Sequence, residues 1–164
     1  MGKMSRWGIG PLFAAGSFAY GAAMLLLGRW LAYDLTIRII PRPLLAGLAW
    51  LLLGVGIPFF IAALFSLHRA YNSNQLVTTG IFSLCRNPIY AAWVVFLVPA
   101  LMLFQANWLA LSVPVFMYGY VRVLVRHEER YLETRFGDSY REYRRRVFCV
   151  IPLSGILPKF KSDQ

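Results

Sequence analysis

Acidic residues are scarce in this chain and absent from most of its length. Of seven Asp and Glu residues, only Asp34 precedes residue 122, and the others stand at 128, 129, 133, 138, 142 and 163. Three long apolar stretches, about 8–27, 44–67 and 88–104, contain no Asp, Glu, Lys or Arg at all. Proton-coupled transport and ion conduction rest on ionisable groups within the membrane, so their absence counts against both. Cysteine is also sparse: Cys85 and Cys149 form no C-x-x-C pair, which indicates neither a disulfide framework nor a zinc site. Both are expected as unpaired thiols on the reducing, cytosolic side. His68 and His127 lie without a ligand cluster around them, and no metal is expected. The chain has no internal repeat and no low-complexity segment. Nor does it have a separate basic tail or a nucleic-acid motif, although its net charge is +10. Bases beside apolar spans set orientation and meet anionic headgroups, and that accounts for the excess without nucleic acid.

What the 164 residues do have is hydrophobicity, 59% of the composition, in runs long enough to cross a bilayer core of about 30 Å. The expectation is a single integral membrane domain over residues 1–164. Its first span, 8–27, follows Lys3 and Arg6, and is too long for the apolar core of a signal peptide. A connector, 28–43, carries Arg29, Asp34, Arg38 and Arg42, and Pro41 and Pro43 end any local helix there. The second span, 44–67, should be kinked at Pro58. The third, 88–104, is separated from a fourth by only Gln105 to Asn107, which forces an antiparallel hairpin in which Asn107 can cap the fourth helix. The fourth span, 108–125, meets Arg122 only about 21 Å along its axis, so this side chain must snorkel or face a wet cavity. Arg122, Arg126, Glu129 and Glu133 then share one helical face, which suits a solvated ladder of ion pairs, and Glu128 sits beside that face. Four spans place both termini on one side with residues 68–87. The Arg-rich C-terminal segment marks that side as cytosolic, against the opposing three Arg and one Asp of the first connector.

Residues 76–90, LVTTGIFSLCRNPIY, are punctuated more heavily than a tether needs. Gly80 suits a tight turn, Asn87 a helix cap and Pro88 the first helical position. The six acids of the C-terminal part and this connector would build a polar chamber at the cytosolic ends of the third and fourth helices. A charged, water-soluble cofactor could enter it from the cytosol and a lipophilic substrate from the membrane. Tyr118, Tyr120, Tyr131, Trp93 and Trp108 read as packing or interfacial belt.

The run Leu76-Val77-x-x-Gly80-x-Phe82-x-x-x-Arg86-Asn87-Pro88-x-Tyr90, then Glu128-Glu129, then Phe136-Gly137-x-x-Tyr140-x-x-Tyr143-x-x-Arg146-Val147, resembles the isoprenylcysteine carboxyl methyltransferase and phospholipid methyltransferase superfamily. The resemblance covers about residues 68–158; the two N-terminal spans carry no signature. It implies an all-α polytopic membrane protein of four transmembrane helices, with a cytosolic C-terminal helical segment completing a pocket for S-adenosylmethionine. It implies cofactor contacts from Asn74, Gln75, Leu76 and Val77, from Phe82, from Asn87, Pro88, Ile89 and Tyr90, and from Glu128. Gly80 would shape the turn, Arg86 would anchor the motif, and Tyr140, Tyr143 and Arg146 would close the pocket. Arg122 and Arg126 are the substrate candidates, and Glu128, Glu129 or His127 would remove a proton if the acceptor were an amine.

Two residues depart from the pattern. Asn87 stands where the eukaryotic carboxyl methyltransferases have His, a variant associated with bacterial relatives, and Leu124 falls where the prenylcysteine enzymes have a substrate-contacting Arg. The expected reaction is therefore methyl transfer to a lipophilic or membrane-embedded acceptor in a bacterial cytoplasmic membrane, with prenylcysteine itself left open. The alternatives are an NADPH-dependent membrane reductase of related fold, which no Gly-rich phosphate loop supports, and a non-catalytic lipid-binding scaffold.

Overall fold

The computed structural model describes residues 9–31, 35–73 and 76–154, with the side chains of residues 70–73 excepted; Asn74 and Gln75 lie outside them. The described residues are helical apart from turns and one isolated β-bridge between Thr36 and Asn107. Helix α1 runs over Gly10–Trp30, α2 over Arg42–Ser73, α3 over Pro88–Gln105, α4 over Ser112–Phe136 and α5 over Asp138–Arg146. Three of them are long and apolar enough to cross a membrane: α1, α2 from Arg42 to Arg69, and α3.

Helix α2 continues well past residue 67 to Ser73, with Pro58 inside it. In α3 the turns from Ala92 to Leu97 widen to π geometry, and the Val98 N–H bonds the Trp93 carbonyl. Pro99 explains the widening, because it has no N–H to give Val95 and its ring would crowd that carbonyl in a regular helix. The widened turn meets α2 at Gly56, where a Cβ would stand 2.5 Å from the Phe96 Cβ. Gly56→Ala is therefore expected to force the two helices apart at a cost of about 1–3 kcal/mol. Thermal unfolding in detergent checks it, and an unchanged midpoint would mean the crossing is looser than this contact.

The fourth helix begins at Ser112, four residues later than the expected Trp108. Pro114 is the reason: it is tolerated only in a first turn, so residues 108–111 form a separate turn instead. Asn107 Oδ1 accepts from the N–H groups of Leu109 at 2.8 Å and Ala110 at 3.4 Å, so it caps that turn and not the helix. On α1, Gly16 lies against the Tyr120 ring of α4 and Gly21 against Val113.

Two apolar cores result. One gathers Phe13, Val94, Val113, Met117, Val121 and Val125 with Cys85, Cys149 and Val150; the other gathers Ile37, Leu45, Ala49, Ala100, Leu103 and Ala106. The second core closes the end where α1 and α3 finish and α2 and α4 start. There the Ile37 N–H bonds the Ala106 carbonyl at 2.7 Å and the Trp108 N–H bonds Leu35 at 3.0 Å. The motif residues lie at the opposite end.

Candidate active site

At that end two separate pieces of chain are tied together. The first is the connector, which passes through the half-buried Leu76, Val77 and Thr78. It then turns at Gly80, whose φ of +63° is the left-handed conformation glycine permits, into a short 3₁₀ helix, Gly80–Ser83. The second piece is the C-terminal part of α4, then Gly137 with φ +56°, α5, and the bent segment 147–150.

Arg86 joins them. Its Nε donates to Glu129 Oε1 at 3.0 Å, and one terminal nitrogen donates to the Arg144 and Val147 carbonyls, both at 2.7 Å. The other terminal nitrogen meets the same Glu129 oxygen at 2.5 Å, and Arg144 Nε lies 3.5 Å from Oε2. Few side chains could do this, since guanidinium offers five donors in a rigid fork and stays charged when buried. The main chain follows: the Arg86 N–H bonds Phe148 and the Asn87 N–H bonds Cys149. Tyr143 donates its hydroxyl to the Phe82 carbonyl at 2.7 Å, and the fully buried Tyr140 stands edge-on to it at 6.1 Å. Burial raises both phenols above their ordinary value, and for Tyr140 the neighbouring Glu129 carboxylate adds to the effect.

Asn87 occupies the residue before α3, but its side chain does not cap that helix. Its Nδ2 donates instead to the Cys149 carbonyl at 3.1 Å and approaches Cys149 Sγ at 3.5 Å. Burial pushes the Cys85 thiol up to about 12 and raises Cys149 as well. Since the thiolate is the reactive form, neither cysteine should react with iodoacetamide at pH 8 until the protein is unfolded. Mass spectrometry of the alkylated native protein checks this, and rapid labelling would show that the tail opens away from the connector.

Glu128 is one residue from Glu129, hence about 100° around the helix, and faces α1. Its Oε1 accepts the Ile9 N–H at 2.9 Å. Burial raises its pKa, opposed by that hydrogen bond. Beside it on α1, Phe13 packs edge-on against Tyr90 at 5.1 Å, and the Tyr90 hydroxyl lies near Gly10.

The structure thus brings Leu76, Val77, Phe82, Arg86, Asn87, Pro88, Ile89, Tyr90, Glu128, Tyr140 and Tyr143 to one end of the bundle. It leaves Arg122, Arg126 and His127 exposed on α4. Arg146 is exposed too, paired with Glu142 on its own helix. The ladder expected along α4 does not form: Glu129 is buried against Arg86, and Glu133 turns to Arg141 and Arg144 of α5. The side of α4 that faces inward is the series Val113, Met117, Val121, Val125 and Glu129, each four positions from the last. Ile9 and Phe13 had no signal in the sequence, because an apolar helix start looks the same whatever it packs against.

Such an arrangement on apolar helices defines an integral membrane protein with a braced polar end. The chain belongs to the phospholipid methyltransferase family, whose model matches residues 44–139. It is 33% identical over 78 residues to a protein-S-isoprenylcysteine O-methyltransferase of Schizosaccharomyces pombe, a match covering 48% of this chain and 33% of that protein. It is 27% identical over 84 residues to protein-S-isoprenylcysteine O-methyltransferase B of Arabidopsis thaliana, covering 51% and 43%. The chain thus matches less than half the length of either relative. No solved structure gives a significant match.

Proposed function

We propose that the protein transfers a methyl group from S-adenosylmethionine to a lipophilic, membrane-embedded acceptor. The observation that carries this reading is the division of labour between the adjacent glutamates. Glu129 is consumed in holding the connector through Arg86, while Glu128 faces the start of α1, against which Tyr90 also packs. The residues fit the cofactor's chemistry. A half-buried carboxylate that already accepts one N–H suits an ammonium group. The backbone groups of Leu76, Val77 and Thr78 form no hydrogen bond with another described residue and are open to polar partners. S-adenosylmethionine would supply an activated methyl on its sulfonium.

The protein's own part is to bind, align and exclude water. Glu128 holds the cofactor's amino-acid end, Tyr90 and Phe82 flank the planar portion, and Asn74 and Gln75, which precede Leu76 in sequence, add polar contacts. Arg86, Tyr140 and Tyr143 fix the loop's position from behind. Arg122 and Arg126, one turn apart on α4, meet an acceptor carboxylate or phosphate at the membrane surface. In this reading α4 completes a fourth crossing with its N-terminal half, both termini are cytosolic, and the braced end opens to the cytosol, as the Arg-rich C-terminal segment favours.

Isothermal titration of the detergent-purified protein with S-adenosylhomocysteine tests the proposal. Saturable binding is expected, and NADPH should not compete. Absence of binding in both detergent and lipid, with the fold verified, would overturn it.

A further inference from the structure

The end of the bundle opposite the braced site has a cleft of its own. It measures about 460 Å³ and is lined by Thr36, Ile37, Arg38, Ile40, Pro41 and Arg42. Its floor is not a loose loop. Ile37 is 3% exposed, buried in the core with Leu45, Ala49, Ala100, Leu103 and Ala106, and its N–H is fixed to the Ala106 carbonyl. Residues 35–37 are thereby tied to the turn between α3 and α4.

The charge at this end is not needed for orientation, because the Arg-rich C-terminal segment already supplies an orienting bias from the other end. Residues 28–43 carry three Arg against one Asp, a net of +2, and every other acid of the chain lies at 128 or beyond. Two of those arginines, Arg38 and Arg42, line the cleft, and Arg42 opens α2, whose helix dipole adds positive potential at the same place. Around the cleft stands an apolar collar: Ile39 is 83% exposed and Leu44 65%, with Ile40 and Leu48 beside them. Trp30 and Trp108, both exposed at this end, are the residue type that sits at headgroup level. A basic pocket directly bordered by exposed aliphatic side chains matches a ligand that is anionic at one point and apolar immediately next to it.

We propose that this cleft binds the phosphate of an anionic lipid headgroup, with Arg38 and Arg42 on the phosphate and the acyl chains along Ile39, Ile40, Leu44 and Leu48. Guanidinium forks suit phosphate oxygens, and the collar would keep the chains in the bilayer. The lipid would staple the start of α2 to residues 36–41, which Ile37 ties to the Ala106 carbonyl, and so stabilise the far end of the bundle.

The test is thermal unfolding of the delipidated full-length protein in detergent, titrated with phosphatidylglycerol, with phosphatidylcholine and with inorganic phosphate. Phosphatidylglycerol is expected to raise the midpoint saturably and phosphatidylcholine not to. Arg42→Gln and Arg38→Gln should each weaken the apparent affinity by about tenfold or more, the loss of a charge-assisted hydrogen bond. Arg29→Gln, a neutralisation at the same end outside the cleft, should leave the affinity essentially unchanged. The midpoints without lipid show whether each variant is folded, and native mass spectrometry of the lipid-bound protein gives a second reading. Equal stabilisation by inorganic phosphate would make the site one for a free anion and overturn the lipid assignment. An equal loss in Arg29→Gln would reduce it to the general potential of a basic surface, and no preference for phosphatidylglycerol would remove it altogether.

Discussion

Arg86→Ala is expected to destabilise the protein more than any other single substitution outside the apolar core. The side chains of Arg86 and Glu129 are only 11% and 8% exposed, so removing Arg86 leaves Glu129 charged and buried, with only the far more exposed Arg144, 3.5 Å from Oε2, beside it. The cost of such a break is about 3–5 kcal/mol. The Arg144 and Val147 carbonyls lose their donor in the same step, so the connector and the C-terminal tail should separate together. For a chain of this size the unfolding midpoint should fall on the order of 10 °C. Replacing both partners, Arg86→Met with Glu129→Met, should recover a large part of the loss, since no buried charge then remains. A drop of a degree or two for Arg86→Ala would mean that water reaches the pair and that the brace is not what holds the connector.

Glu128→Gln should do the reverse, weakening ligand binding without weakening the fold. Burial raises the Glu128 pKa above its ordinary value, so the folded protein holds this proton more tightly than the unfolded chain does. Below the unfolded value of 4.5 both states are protonated and the group makes no difference. As pH rises from there through the raised folded value, the native state has to give up a proton it favours, and stability falls. At pH 7 the ionised carboxylate is therefore a net cost to folding, and the neutral amide should leave the midpoint unchanged or slightly raise it. If the carboxylate holds the cofactor's ammonium, S-adenosylhomocysteine affinity should drop about 10- to 100-fold, the worth of one hydrogen bond to a charged group. Binding to the unaltered protein should weaken as pH falls through the raised value, and binding to the variant should not follow that titration. Titration calorimetry at several pH values together with unfolding curves decides the matter. A variant of lower stability and full affinity would assign Glu128 to the fold.

Much of this architecture is legible from composition. Spans without a single charge have no stable place except a bilayer or a core, and α1, α2 and α3 appear within a few residues of their expected bounds. The deviations each have a local cause that hydropathy does not report. Pro114 delays α4 to Ser112, Pro99 widens α3, and α2 runs on to Ser73 because Arg69 and Ala70 favour helix and no Gly or Pro stands between them and Ser73 to stop it. The Gly80 turn was readable because a left-handed φ at a polar connector leaves glycine as the economical choice. The side-chain role of Asn87 was not: a residue suited to capping found a better acceptor, the Cys149 carbonyl, 62 positions away.

The amino-acid order by itself determined the apolar spans, the hairpin between α3 and α4, the concentration of acid after residue 122 and the ordered motif from Leu76 to Arg146. All of these depend on neighbours within a few turns or on the solvent a side chain requires. Only the tertiary structure decided which of two adjacent glutamates is the brace and which faces α1. Neighbouring helical residues point about 100° apart, and their roles depend on what lies in each direction. Arg86, 43 residues before Glu129, and Ile9, 119 before Glu128, were brought there by the packing of helices whose own sequences say only that they are apolar.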